Sequence, residues 1–459
     1  MVLVASFAAV LILAVAGYGL SRGRAIAVSG GNLANLHSRP SYHGTYSLLW
    51  VLLAGVGTLL VVGELWALLN ERIFFSIIEE ARPGLPFIEQ QLILSDAHQL
   101  ARGGIASQDG EFRMALADTI RSMEFWRVWV TAALSVAAAA LAAWLTYGRI
   151  TAAWRARNRS ETIIQAILMV CAVIAILTTI GIVLSLIFET INFFGKIDWQ
   201  IHSFLFGTTW SPLSGVSAGK LDPDKVGAVP LFAGTFMITI IAMLVAVPVG
   251  LFAAIYLSDF ASRRTRAWAK PMLEILAGVP TVVYGFFAAI TVAPAIRDAG
   301  NFLGLSVDSS SALAAGTVMG IMIITFISSL SDDVINAVPQ SLRDGSFGLG
   351  ATRAETIRQV VLPAALPGIV SAILLGISRA VGETMIVVMA AGQGANLTWN
   401  PLEAVTTVTV QIVMLYTGDT DLQTASGPVF ALGFTLFCVT LALNVVALRI
   451  VRRYREMYD

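Results

Sequence analysis

The chain has 459 residues, of which 57% are hydrophobic and only 13% charged, against roughly 25% charged in an ordinary soluble domain. That excludes a conventional soluble globule. Formal net charge is zero, so the whole chain carries no electrostatic signature of nucleic-acid binding, and what informs is where the charges fall.

Apolar runs of about 20 residues, enough to cross a hydrocarbon layer about 30 Å thick, recur along the length. Lipid offers backbone groups no other partner, so these runs are expected to be helices. In chain order the spans are expected near 2–20, 46–69, 124–147, 162–190, 232–258, 273–297, 312–333, 367–392 and 429–451. The apolar start lacks a preceding basic region and a clear small-residue cleavage site, and is read as a retained helix. Cys171 and Cys438 lie inside apolar runs with no metal-ligand spacing and are read as small core residues. Glu64, Glu189 and Glu274 fall near expected helix ends, where a long side chain reaches the headgroup region, and are read as structural.

Basic residues of short loops stay on the cytoplasmic side. Arg22, Arg24 and Arg39 share a loop without acids; Arg149, Arg155, Arg157 and Arg159 precede Glu161; Arg263, Arg264, Arg266 and Lys270 face only Asp259. The stretch from Gly394 to Pro428 contains Glu403, Asp419 and Asp421 but no lysine or arginine, so it is expected outside. Nine helices with the N-terminus outside satisfy every loop, and the tail with Arg449, Arg452, Arg453 and Arg455 falls inside.

Two parts follow. Residues 1–150 contain three helices and an external insert at about 71–123, broken by Arg82-Pro83-Gly84-Leu85-Pro86, whose role the sequence does not declare. Residues 151–459 contain six helices and a cytoplasmic loop at about 337–366.

Within that loop stand Asp344-Gly345-Ser346, Gly350, Val360 and Leu362-Pro363. Small residues let a short helix approach a partner closely, and a glycine turns it where a side chain would clash. Leu362-Pro363 is expected to stop one segment before the next begins. The pattern resembles the coupling loop of ABC importer permeases, with Asp and Gly-Ser where that family usually has Glu and Ala-Ala. The resemblance implies a type I ABC importer transmembrane domain, an all-α fold of six core helices, here with three additional N-terminal helices. It also implies that Asp344, Gly345, Ser346, Gly350, Leu362 and Pro363 engage a separate ATPase. No G-x-x-x-x-G-K-[ST] phosphate-cradling loop occurs, Gly215 to Lys220 having the wrong spacing, so ATP and Mg are expected on the partner ATPase and no cofactor or metal on this chain.

The eighth expected helix carries Arg379 and Glu383, four residues apart, where a charge costs about 2.5–3.5 kcal/mol on insertion scales. On one helix face the two can pair, and Gly376, Ser378, Ala380 and Gly382 leave room for close helix contact. Such a pair facing into the bundle either presents a guanidinium to an oxyanion in transit or fixes helix packing.

The run Arg379-Ala380-Val381-Gly382-Glu383-Thr384-Met385 resembles the signature of the PstC family, permease subunits of bacterial phosphate importers. Phe206-Gly207-Thr208-Thr209-Trp210-Ser211-Pro212, Gly234-Thr235 and Glu274 through Gly285 agree with it, over about Thr162 to the C-terminus. The resemblance implies phosphate as substrate, with Arg379, Glu383 and Thr384 on its path, in the bacterial inner membrane. It implies as partners a homologous PstA-like permease, two PstB-like ATP-binding subunits and a periplasmic PstS-like phosphate-binding protein, besides membrane lipid, and no nucleic acid. A permease for molybdate or sulfate, or an ion-gradient anion transporter, is the alternative. An enzyme has little to work with, the four histidines being unclustered and no nucleophile motif present.

Overall fold

Apolar runs become helix almost without exception in the computed structural model, which describes residues 2–30, 32–104, 110–214, 220–418 and 422–455. Gly215 to Gly219 and the acids Asp419 and Asp421 lie outside the described residues, as do the side chains of Arg452, Arg453 and Arg455. Among the described residues nine helices are long and apolar enough to cross a bilayer, one for each expected span. The chain divides into two units, Met1–Leu177 and Thr178–Asp459. The boundary falls inside a helix that runs from Ala156 to Lys196, not in the loop near residue 150.

In the first unit, α1 (Val2–Val28), α2 (Pro40–Ala81) and α4 (Glu111–Gly148) pack through small residues. A Cβ on Gly44 would stand 2.6 Å from the Tyr18 ring, and one on Gly55 would stand 2.5 Å from Val10. Without a hydrophobic drive between helices in lipid, such close approach supplies the packing. The buried hydroxyls of Ser47 and Thr146 add a hydrogen bond of 2.9 Å. The two arginine-rich loops assigned to one side are joined there, His37 N–H donating to Ala152 at 3.0 Å and Arg157 N–H to the Ser38 hydroxyl at 3.2 Å.

The external insert is helical. At 42 residues α2 is about 63 Å long, roughly twice the hydrocarbon thickness, so its last turns leave the membrane. There α3 (Phe87–Ala101) lies against α2 and α4 over a core of Phe74, Ile78, Ile93, Leu94, Leu116 and Ile120. Buried Asp96 pairs with Arg113 at 3.4 Å.

Helix α5 (Ala156–Lys196) has no buried residue in its most apolar window. In the second unit the central pair is α6 (Val229–Phe260) and α8 (Thr281–Phe302) with α9 (Ala312–Ala337) between them and α11 (Arg353–Val381) behind. Gly316 and Gly320 of α9 admit Ile241 and Val245 of α6. The last span lies in α14 (Leu422–Arg455).

Three expectations are corrected. The sixth span begins at Thr281 because Gly278-Val279-Pro280 ends a separate basic helix, α7 (Arg263–Ala277), which lies before it. The eighth begins at Arg353, not 367: Leu362-Pro363 separates nothing, since a π-helical turn at Ile357–Val361 absorbs the missing proline donor and the helix continues. It then stops at Val381, and a short helix α12 (Met385–Ala390) follows. The acidic external stretch also contains a helix, α13 (Val408–Thr417).

Glycine is required at Gly234, where a Cβ would overlap the Thr406 carbonyl oxygen, whereas Gly57 has open space around it. Gly234→Ala will therefore destabilise the folded protein by about 1–3 kcal/mol, the usual cost of overpacking, and Gly57→Ala will not. Thermal unfolding midpoints of the two variants in detergent check this, and equal midpoints would exclude the close contact.

Candidate substrate path and coupling surface

The interruption between α11 and α12 builds the candidate site. Arg379 sits in the last turn of α11, Gly382 caps it, and Glu383 and Thr384 lie in the break. Arg379 and Glu383 are therefore not on one helix face and form no ion pair, which corrects the expected pairing. Their roles differ. Glu383 is only 9% exposed, and its Oε1 accepts from the backbone N–H of Met385 at 3.1 Å and of Ile386 at 3.4 Å. A carboxylate thus takes up amides that the start of α12 would leave orphaned. Its carbonyl accepts from the Thr409 hydroxyl at 2.9 Å, and Thr407 and Thr409 are linked at 3.0 Å. Thr384 makes one long contact, 3.5 Å to the Gly382 carbonyl.

Arg379, by contrast, is exposed, its guanidinium 5.7 Å from the centre of the Phe326 ring. Buried Gly376 and Ala380, flanking it on α11, face the core toward Ile323 and Ile327 of α9. The arginine therefore leaves the bundle on the side this chain does not cover. Gly285 allows the arrangement: a Cβ there would stand 2.9 Å from both the Met385 carbonyl and the Met389 sulfur. Thr235, in the run that accompanies the site in sequence, accepts at 3.2 Å from the Val408 N–H. The threonines at 406, 407 and 409 and the ring of Phe326 escaped the sequence reading. A cluster of hydroxyls, Thr406-Thr407-Val408-Thr409, inside an otherwise apolar stretch was the available signal.

At the cytoplasmic end, α10 (Gln340–Gly348) carries Asp344, Gly345 and Ser346, and Gly350 turns the chain with φ +86°. Leu342, Phe347 and Leu349 are exposed, and no atom lies near a Cβ placed on Gly345, Gly348 or Gly350. Small and apolar residues thus share an uncovered surface, while Leu362 and Pro363 are half-buried beyond it in α11. The Ser346 hydroxyl meets that of Thr356 at 2.8 Å.

Two ionic links tie this end together. Arg343 of α10 pairs with Asp259 at the end of α6 and donates to the Ile335 carbonyl at 2.8 Å. Asp332, 2% exposed near the end of α9, accepts from Arg266 at 3.1 Å and Lys270 at 2.9 Å, both on α7, and Lys270 also reaches Asp333 at 3.0 Å. Asp332, then Asp333, hold the Lys270 ammonium above the usual lysine range. Lysine's raised value keeps this link intact below the ordinary lysine pKa, and only more alkaline solution removes it. The aspartates first read as a solvated end or inner gate are thus clamped to the basic helix.

Two family models match, "Phosphate ATP-binding cassette transporter" over residues 7–178 and "Binding-protein-dependent transport system inner membrane component" over 246–456. A probable ABC transporter permease protein, YqgH of Bacillus subtilis, is 30% identical over 67% of this chain and 96% of its own length. The phosphate transport system permease protein PstC of Xylella fastidiosa (strain Temecula1) is 31% identical over 55% of this chain and 79% of its own length. This chain belongs to the PstC family. The inward-facing MetNI methionine ABC transporter is matched at 20% identity over 50% of this chain and 94% of that one, with a TM-score of 0.36. In this PstC family member the Arg379 break and the α10 surface both lie within the second model's match, while the three N-terminal helices lie within the first.

The clamp sets an order of stabilities. Removing both cations, Arg266→Ala with Lys270→Ala, strands a buried carboxylate and will cost about 3 kcal/mol or more. Asp332→Ala leaves two cations that can turn to water and will cost less. Chemical unfolding in detergent reads the order, and the reverse order would overturn the account.

Proposed function

We propose that this chain forms one side of the membrane path of a phosphate importer in the bacterial inner membrane, alternately opening to each face. Arg379 carries the reading: a guanidinium on a membrane helix, without a carboxylate partner among the described residues, on the uncovered side of the bundle. A lipid-facing arginine is costly, so that side is expected to meet a water-filled path completed by a second, PstA-like permease. A guanidinium offers oxyanions a fixed fork of donors. One such group, not a cage, gives the weak binding that passage needs. Glu383 supports it by fixing the interrupted backbone, and Thr384 borders the same break. The family descriptions, phosphate for both the N-terminal model and the PstC relatives, support the choice of substrate over molybdate or sulfate.

ATP hydrolysis belongs, in this reading, to two PstB-like subunits, and a PstS-like binding protein delivers phosphate from outside. The exposed apolar and small residues of α10 suit docking on the ATPases. The Arg343 to Asp259 pair then passes displacement of α10 directly into α6 as a rigid lever.

Radiolabelled phosphate uptake by the reconstituted assembly tests the substrate, with sulfate and molybdate as competitors; phosphate alone should compete. Arg379→Ala should abolish uptake with the complex still assembled, while Glu383→Gln, which keeps an acceptor for the two amides, should retain most of it. Loss of assembly in Arg379→Ala would make the arginine a packing residue instead. Replacing Gly350 with Leu forces a side chain into φ +86°, at about 1–2 kcal/mol. That variant should hydrolyse ATP without matching uptake, and normal uptake would refute the coupling role of the turn.

A further inference from the structure

The N-terminal unit contains a cleft of about 620 Å³ between α2, α3 and α4, lined on its polar side by Asn70, Glu71, His98, Glu124 and Arg127. Beside it runs an apolar groove of about 360 Å³ lined by Trp66, Ile73, Met123, Trp126 and Val130, and Asn70 borders both. Several of these polar groups lack protein partners. Asn70 is only 8% exposed, yet its side-chain amide has no hydrogen bond among the described residues. Trp66 Nε1, one turn earlier, is buried and unpartnered. Glu71, Glu124 and Arg127 form no ion pair with any described residue although they line one cleft. Buried donors without acceptors cost about 1–3 kcal/mol each, so the site is built for something the chain does not itself supply.

Its level identifies the occupant. Thirty residues separate Pro40, at the cytoplasmic start of α2, from Asn70, which is about 45 Å of helix. A bilayer with its headgroups is about 40–45 Å thick. The cleft therefore opens at the outer headgroup layer, and Trp66, Trp126 and Trp129 stand where interfacial indoles collect.

We propose that this cleft binds a zwitterionic phospholipid with a primary ammonium headgroup, one acyl chain lying in the adjoining groove. Glu71 and Glu124 accept from the ammonium, Arg127 donates to the phosphate, and Trp66 Nε1 and the Asn70 amide donate to the glycerol ester carbonyls. The two carboxylates select against anionic headgroups, and the demand for N–H donors selects against a quaternary ammonium. The site is independent of the phosphate path and of the substrate assigned to it.

Native mass spectrometry of the full chain in detergent, titrated with phosphatidylethanolamine, phosphatidylglycerol or phosphatidylcholine, tests this. Phosphatidylethanolamine should be retained about tenfold more tightly than the other two, the scale of one charge-assisted hydrogen bond. Glu71→Gln with Glu124→Gln should remove that preference. Trp66→Phe keeps the ring and deletes one donor, so it should weaken retention of phosphatidylethanolamine several-fold without perturbing the fold. Equal retention of the three lipids, unchanged retention in these variants, or displacement of the lipid by inorganic phosphate would each overturn the proposal.

Discussion

In hydrocarbon no backbone amide can turn to water, so a helix can be interrupted there only where side chains take up the groups it releases. The Glu383 carboxylate meets that constraint for the break between α11 and α12, accepting two amides while its own carbonyl is held by Thr409. Everything distinctive about the candidate path follows from it. The stop at Val381 leaves Arg379 on the final turn of a long helix, freed from its acidic neighbour in sequence. Gly285 lets α12 settle against the sixth span, and the threonine run closes over the break from the other side. An acid and a base four residues apart thus divide their labour, one holding backbone and the other facing outward.

The cytoplasmic end obeys a different constraint. Asp332 is buried, and its charge is tolerable because two cations and the Asn336 amide surround it. The basic helix α7 consequently moves with α9, and α10 moves with α6 through Arg343 and Asp259. The coupling surface is therefore attached at two points to the pair of helices that form the centre of the second unit, an arrangement that transmits displacement better than a tethered loop. Ion pairs of this kind contribute little net stability; their effect here is to fix which segments travel together.

Much of this was legible in the sequence because the bilayer imposes length and polarity on each span. Hydropathy located all nine, and the arginine-rich loops paired as the charge asymmetry required. The turn at Gly350 was legible because only glycine is comfortable at φ +86°. What failed were features decided by tertiary contacts. Residues 367–392 read as one apolar span because Gly382-Glu383-Thr384 breaks the helix through a carboxylate folding back on amides, which no hydropathy window registers. Val408–Thr417 is too short and too hydroxyl-rich to read as helix without the Thr235 and Glu383 groups it meets. The insert between Glu71 and Met123 was opaque because its helices owe their stability to a small core assembled from three separate segments.

The π-helical turn at Ile357–Val361 has two counterparts, at Tyr256–Phe260 and Ala288–Val292. Each inserts one extra residue into a helix with 3.6 residues per turn, rotating everything downstream by about 100°. A helical wheel begun at Arg353 therefore loses phase before it reaches Gly376 and Arg379, and would assign the inward and outward sides wrongly. The wound-in residue that spares Pro363 a broken ladder also decides which way the guanidinium points.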